Sequence, residues 1–244
     1  MPANTANHVT AKLSTKAGQF IDGVLRLHPK LATFDCDGTL WRGDAGEGFF
    51  DWELKRGLVS DDIVRWARPR YADYKAGKVD EETMCGEMVT MHRGLREAEV
   101  QQAAQEYFDS VFLPNIFPEM RELIARLQQS GCEVWAVSSS NRWIIRACAK
   151  HFGIDEGKIL AATAEIENGL VTDRLIRVPT GEAKPQAIRQ VIKRTPDAAF
   201  GNSRWDTEML AMARAAFAVN ANPDLKKTAV ARGWTVYEPD TLNG

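Results

Sequence analysis

At 244 residues, with 44% hydrophobic and 26% charged side chains, the chain has the composition of an ordinary folded protein, long enough for one large domain or for a core carrying a smaller insertion. Its 31 basic against 33 acidic residues leave a net charge of -2, which offers no electrostatic footprint for nucleic acid. No apolar stretch approaches the ~18 residues that span a bilayer, and the opening MPANTANHVTAKLSTK lacks the apolar centre of a signal peptide, so a cytoplasmic location is expected, away from any membrane.

Residues 31–36 (LATFDC) form a short apolar run ending in Asp35-Cys36-Asp37-Gly38-Thr39, the pattern of a buried strand entering a polar turn. From Trp41 to about Leu113 the pattern becomes helical only and rich in charge, with breaks at Gly57, Gly77 and Gly94. The segment MRELIARLQQSG reads as an amphipathic helix closed by Gly131. A second strand follows over residues 133–138 (EVWAVS). In AATAEIENGLVTDRLIRV, Asn168-Gly169 sits between two β-rich runs and predicts a tight hairpin. Strand-like runs return at residues 198–201, 215–219 and 234–237, each after a segment of helical periodicity. Strands alternating with helices predict an α/β fold, a parallel sheet covered by helices on both faces. Residues 1–40 and 114–244 are expected to form the core, and residues 41–113 an inserted helical domain. The cysteines, Cys36, Cys85, Cys132 and Cys148, form no C-x-x-C pair and have no histidine at zinc-finger spacing; reduced, mostly buried thiols are expected.

The chemistry concentrates at the carboxyl ends of these strands, where open α/β sheets bind ligands. Asp35 and Asp37 would face opposite ways in an extended chain, so the turn at Gly38 must begin early for both to reach one site, and the same turn would aim backbone N–H groups at an anion. Ser138 ends the second strand in Ser138-Ser139-Ser140-Asn141, before a helix expected near Asn141; on its own it reads better as a cap than as a site residue. Lys184 falls at a helix start, where a cation opposes the helix dipole. Asp206, in Gly201-Asn202-Ser203-Arg204-Trp205-Asp206, returns another carboxylate to the same edge or serves as an N-cap.

Taken in order, Asp-x-Asp-Gly-Thr, strand-Ser, Lys and Gly-Asn-x-x-x-Asp resemble the haloacid dehalogenase superfamily, and within it the phosphatases related to phosphoserine phosphatase. The resemblance spans about residues 31–240. It implies a Rossmann-like core and a helical cap over residues 41–113. It also implies that Asp35 is a nucleophile forming an aspartyl-phosphate, that Asp37 is the general acid and then base, and that Ser138 and Lys184 serve phosphoryl transfer. Gly38, Thr39 and Ser139 are implied to bind the substrate, a small phosphate ester. Mg²⁺ is implied as cofactor, with ligands from Asp35, the Asp37 main chain, Asn202 and Asp206. The family usually has Asp where this chain has Asn202, so one ligand becomes a neutral amide oxygen or Asp206 must ligate instead.

That departure feeds a competing reading. Metal-independent dehalogenases of the superfamily carry amide and hydroxyl groups in the last motif, as Asn202 and Ser203 do, but they lack an acid at the second position of the first motif, where Asp37 stands. A non-catalytic phosphate-binding relative is the other alternative. For the substrate, Asp44 matches the position at which phosphoserine phosphatases place a glutamate against the ammonium, whereas hydrophobic register puts Glu87 nearest to their cap arginine. An acidic pair without that arginine suits an amine lacking a carboxylate. Trp41, Trp52, Trp143 and Trp205 near the motifs could offer aromatic faces to a quaternary ammonium or simply pack. Arg42, Arg142 and Arg204 beside the motifs suit a second anionic group instead, as in a sugar phosphate.

Overall fold

The computed structural model describes residues 13–240. A seven-stranded sheet forms its centre, with β1 (Leu31–Phe34), β2 (Glu133–Asn141), β3 (Ile159–Glu167), β4 (Leu170–Arg177), β5 (Ala198–Gly201), β6 (Ala215–Val219) and β7 (Thr235–Tyr237) in the order β4-β3-β2-β1-β5-β6-β7. Every pairing is parallel except β3 with β4, the hairpin expected at Asn168-Gly169. Both turn residues hold positive φ, 52° and 79°, as a tight type I′ connection requires. The order reverses at β1, which places β1 and its two neighbours at the switch point of the sheet.

Helices cover both faces because the strands bury alternate side chains on each. On one face Ala32, Phe34, Val134 and Ala136 pack with α1 (Thr15–Leu25), α6 (Pro118–Gln129) and α7 (Arg142–Ala149). Here the register puts Phe34 beside Phe200 and Phe200 beside Phe217, and their rings stack at 4.1 and 4.7 Å across three strands. On the other face Leu31, Trp135, Val137 and Ala199 pack with α8 (Ala183–Val191), α9 (Thr207–Met212) and α10 (Pro223–Arg232). Both layers are apolar, as a parallel sheet demands.

Between β1 and β2 lie α2 (Ala45–Arg56), α3 (Asp61–Lys75), α4 (Glu81–Thr90) and α5 (Glu97–Tyr107), separated at Gly57, Gly77 and Gly94 as the sequence predicts. Asp44, Ser60 and Asp80 cap α2, α3 and α4 by accepting N–H bonds from the third residue on. Phe50, Leu54, Ala67, Met84 and Met88 give these helices an apolar cluster of their own, while α4 leans on β3 and β4, and α5 on α7.

One polar pair sits inside this helical segment. His92 and Glu53 are both 0% exposed, with His92 Nε2 2.7 Å from Glu53 Oε2 and Nδ1 3.1 Å from the Val89 carbonyl oxygen. Nδ1 faces a carbonyl and so carries a proton, and Nε2 faces a carboxyl group with which a second proton can be shared, the arrangement that favours an imidazolium. Burial works against that charge, but Glu53 outweighs it and holds the His92 pKa above its ordinary value of 6.5. Burial lifts Glu53 above its own ordinary value, with His92 opposing. The folded pair therefore keeps a proton that the unfolded chain releases above about pH 6.5. Its contribution to stability is complete below that pH and is lost as pH rises through the raised His92 pKa, and the raised Glu53 pulls in the same direction. Thermal unfolding across about pH 6 to 9 is expected to show a falling midpoint, with a shallower fall in Glu53→Gln; an identical slope in the variant would mean that the pair does not hold the proton.

Candidate active site

Strand β1 delivers its ligands by stopping early. The Asp35 N–H still donates to the Phe200 carbonyl at 2.8 Å, but Thr39 and Leu40 N–H groups turn back onto the Cys36 carbonyl at 3.0 and 2.8 Å. Gly38 holds φ at 73°, and a Cβ there would stand 1.8 Å from Asn202 Nδ2. Only glycine satisfies both the left-handed backbone and the close approach of the loop after β5. The early turn brings Asp35 and Asp37 onto one cavity of about 500 Å³, with Ser138, Lys184 and Asn202 around it.

Lys184 explains its own position at the start of α8. Its ammonium is 2% exposed and donates to Asp35 Oδ1 at 2.7 Å, Asp206 Oδ1 at 2.5 Å and the Val137 carbonyl at 3.2 Å. Burial opposes the charge, yet the two carboxylates outweigh it and raise the Lys184 pKa above the ordinary lysine range. Asp35 Oδ2 accepts the Thr39 hydroxyl at 2.7 Å. Burial first, then the charge of Asp206, pushes Asp35 up to about 7 against the pull of Lys184 and Thr39.

Asp37 is held without a cation. Its Oδ1 accepts Trp41 Nε1–H at 2.8 Å and the Ala45 N–H at 2.6 Å, and its Oδ2 accepts the Ser140 hydroxyl at 2.6 Å. Burial, and then the neighbouring charge of Asp44, push its pKa up to about 8. Asp44 itself is exposed at the cavity, with Oδ1 engaged in capping α2 through the Glu47 N–H at 2.8 Å.

Several predicted positions turn out differently. Ser138 is no cap; β2 runs on to Asn141, whose side chain caps α7, and the Ser138 hydroxyl accepts the Ser140 N–H at 3.1 Å beside the cavity. Thr39 is fully buried, so it orients Asp35 and does not border the cavity. Asp206, also 0% exposed, gives Oδ1 to Lys184 and Oδ2 to the N–H groups of Asn202 and Ser203 and the Ser203 hydroxyl. It therefore stands behind the lysine and is not placed to ligate a metal in the cavity. Glu87 lies outside this cavity and pairs with Arg70 through two bonds of 2.7 Å.

No arginine borders the cavity among the described residues. Arg42 reaches Asn115, Arg142 reaches the Ile159 and Glu156 carbonyls, and Arg204 stacks over Trp205. Trp41 and Trp143 are packed, Trp41 against Phe108 and Phe112 and Trp143 against His92, while Trp205 does reach the cavity. The sequence reading missed Glu81, which borders the cavity in place of Glu87, and also Ser140 and Asn220. Asn220 donates from Nδ2 to the Gly38 carbonyl at 2.9 Å and so pins the turn after β1.

Asp35, Asp37 and Asn202 line the cavity and carry oxygen donors of two kinds, carboxylate and side-chain amide. Each Asp35 oxygen accepts one hydrogen bond and keeps a further lone pair. Such hard oxygens fit Mg²⁺, with less negative charge than a second carboxylate would supply.

Comparison with known proteins bears on the fold and the family. Over 217 residues the chain is 26% identical to a histidinol-phosphatase of Neisseria meningitidis, covering 84% of this chain and 97% of that one. Among solved structures, a protein of unknown function from Bordetella pertussis matches with a TM-score of 0.73 at 22% identity, over 85% of this chain and 97% of that one. A phospho-aspartyl intermediate analogue of phosphoserine phosphatase matches with a TM-score of 0.57 at 19% identity, over 86% and 92% of the two chains. The family model described as haloacid dehalogenase-like hydrolase matches residues 32–211, from the first strand through the lysine and last-motif loops to α9, and the chain belongs to that family.

Proposed function

We propose that this hydrolase is a Mg²⁺-dependent phosphatase that cleaves a small phosphorylated metabolite, an amino-alcohol phosphate in the first place, through an aspartyl-phosphate. One observation carries the reading: two carboxyl groups open on the same cavity, and only one of them is paired with a cation. Asp35, held by Lys184 and Thr39, is the nucleophile. Its oxygen attacks phosphorus, the bond to the alcohol oxygen breaks, and that oxygen takes a proton from Asp37. Asp37, now a carboxylate, accepts a proton from water as the water oxygen attacks phosphorus and frees Asp35.

A pKa near 8 suits Asp37 to the acid role, because the group arrives protonated near neutral pH and releases its proton without a large penalty. Lys184 offsets the repulsion between the Asp35 carboxylate and a phosphate dianion. Ser138, with Ser139 beside it, holds phosphoryl oxygens, whereas the Gly38, Thr39 and Leu40 N–H groups are taken by the Gly43 and Cys36 carbonyls. When bound, Mg²⁺ supplies further positive charge at the phosphoryl group, and Asp35, the Asn202 side chain and the Asp37 main chain would hold it. Residues 41–113 act in this reading as a cap on a core of residues 1–40 and 114–244, closing the cavity against water. The free cysteines fit a reducing compartment, and we assign the reaction to the cytoplasm.

The acid distinguishes phosphoryl transfer from halide displacement, because a halide leaves without a proton. Asp35→Asn is expected to abolish phosphate release with the fold intact by circular dichroism, since the amide keeps the shape but loses the anion. Asp37→Asn is expected to slow alkyl phosphates at least tenfold more than p-nitrophenyl phosphate, whose leaving group needs no proton. Equal losses on both would remove Asp37 as the acid, and halide release from a 2-haloacid would favour the dehalogenase reading. Asn202→Asp is expected to lower the Mg²⁺ concentration needed for half-maximal activity, because a carboxylate replaces a neutral oxygen; an unmoved titration would place Asn202 outside the ligand set.

A further inference from the structure

Glu81 is a buried carboxylate at the cavity wall to which the phosphatase reading gives no task. It begins α4 and is 8% exposed. Its Oε1 accepts two hydroxyls at 3.1 Å, from Ser139 after the apolar part of β2 and from Thr180 before α8. Its Oε2 receives no hydrogen bond and no ion pair from any described residue, although the side chain borders the cavity. Only Thr33 and Glu53 leave a fully buried side-chain oxygen without a partner among the described residues, so Glu81 Oε2 opens on the cavity, where a cationic N–H donor can replace water on it.

The charges around it decide what that donor is. The lysines of the cavity are already matched, Lys184 by Asp35 and Asp206 and Lys75 by Glu47 at 2.9 Å. Asp37, Asp44 and Glu81 have no cationic partner among the described residues. Tyr71, Tyr74, Met84 and Met88 supply the apolar wall beside them. Such a cavity favours a leaving group that is positively charged and compact.

Resting on the phosphatase reading above, we propose that Glu81 is a specificity-determining residue that receives the protonated nitrogen of the leaving alcohol, so that the substrates are phosphomonoesters of short alcohols bearing an N–H cation and no carboxylate. An N–H cation is preferred over a quaternary one because the spare oxygen is a hydrogen-bond acceptor, and charge-assisted N–H bonds are the stronger kind. The alcohol is short because Glu81 is tied to Ser139, whose Cα lies ~3.8 Å along the chain from that of Ser138 at the phosphoryl site. A substrate carboxylate would meet this acidic wall with no arginine to receive it.

The test compares phosphoethanolamine with ethyl phosphate, the same ester without its nitrogen, and with p-nitrophenyl phosphate as a reference. Wild-type protein is expected to favour phosphoethanolamine over ethyl phosphate at least tenfold in kcat/KM. Glu81→Gln keeps an oxygen for the Ser139 and Thr180 hydroxyls but loses the charge. It is expected to lose about 10- to 100-fold on phosphoethanolamine, mainly through KM, and to fall much less on the other two esters. A wild type without the preference, or a variant that loses equally on all three, overturns the proposal; the second result would make Glu81 a tie between α4 and the core. Calorimetric binding of 2-aminoethylphosphonate and ethylphosphonate to the wild type reads the same subsite without turnover or mutation, and at least tenfold tighter binding of the amine is expected. Equal binding overturns the proposal even if the variant fails to fold. Selective binding with no hydrolysis of p-nitrophenyl phosphate would keep the cation subsite and overturn the phosphatase reading alone.

Discussion

Lys184 joins three separate pieces of chain at one ammonium: Asp35 after β1, the Val137 carbonyl on β2 and Asp206 after β5. Two carboxylates converging this closely would repel one another in a buried site, and burial would drive each toward its neutral form. The lysine reverses that balance. In return the carboxylates keep a nearly inaccessible ammonium charged, so no member of the group is stable there alone. Removing one partner from such a buried set costs about 3–5 kcal/mol, because the remaining charge loses its match. The site geometry is thus also a folding constraint, since β1, β2, β5 and α8 must all be in place before the charges balance.

Close packing of loops completes what the charges begin. Gly38 lets the turn after β1 lie against Asn202, and Gly201 does the same for Asp206, whose Cβ would be 2.5 Å from an added methyl group. Asp206 can then gather the N–H groups of Asn202 and Ser203 on the oxygen that Lys184 leaves free. Asn202 is held by its main chain, and its amide stays at the cavity. Asp206 is thereby spent on the lysine and the loop, while the Asn202 side chain is left at the cavity.

Much of this was legible in the sequence because strand ends leave local marks. Alternating strand and helix patterns gave the sheet, Asn168-Gly169 gave the hairpin, and the short motifs at the ends of β1, β2 and β5, with the lysine at the start of α8, gave Asp35, Asp37, Ser138, Asn202 and Lys184 as neighbours. The helical segment was harder. Glu81 and Glu87 lie six residues apart on α4, about 600° around the axis at 100° per residue. They therefore occupy different sides, and choosing between them needs the tilt of α4 against β3 and β4, which no pattern in EETMCGEMVTMHRG encodes. Ser140 and Thr180 were hidden for a related reason: hydroxyls near strand and helix ends are common, and only their partners mark them out.

Asp37 shows how the two parts of the chain are coupled. Its neighbour Asp35 is held by Thr39 and by Lys184, both of which belong to the sheet side of the molecule. Asp37 instead takes Trp41 Nε1–H and the Ala45 N–H on one oxygen, and Ala45 is the first residue of α2. The donor to its other oxygen, Ser140, comes from β2. Asp37 is therefore suspended between the sheet and the first turn of the helical segment, and the charge of Asp44, which caps that turn, adds to burial in raising its pKa. A displacement of α2 would alter both the orientation of Asp37 and its pKa while leaving the Asp35–Lys184 pair untouched. The two carboxyl groups thus answer to different parts of the fold, and in the proposed reaction this links the helical segment to proton transfer.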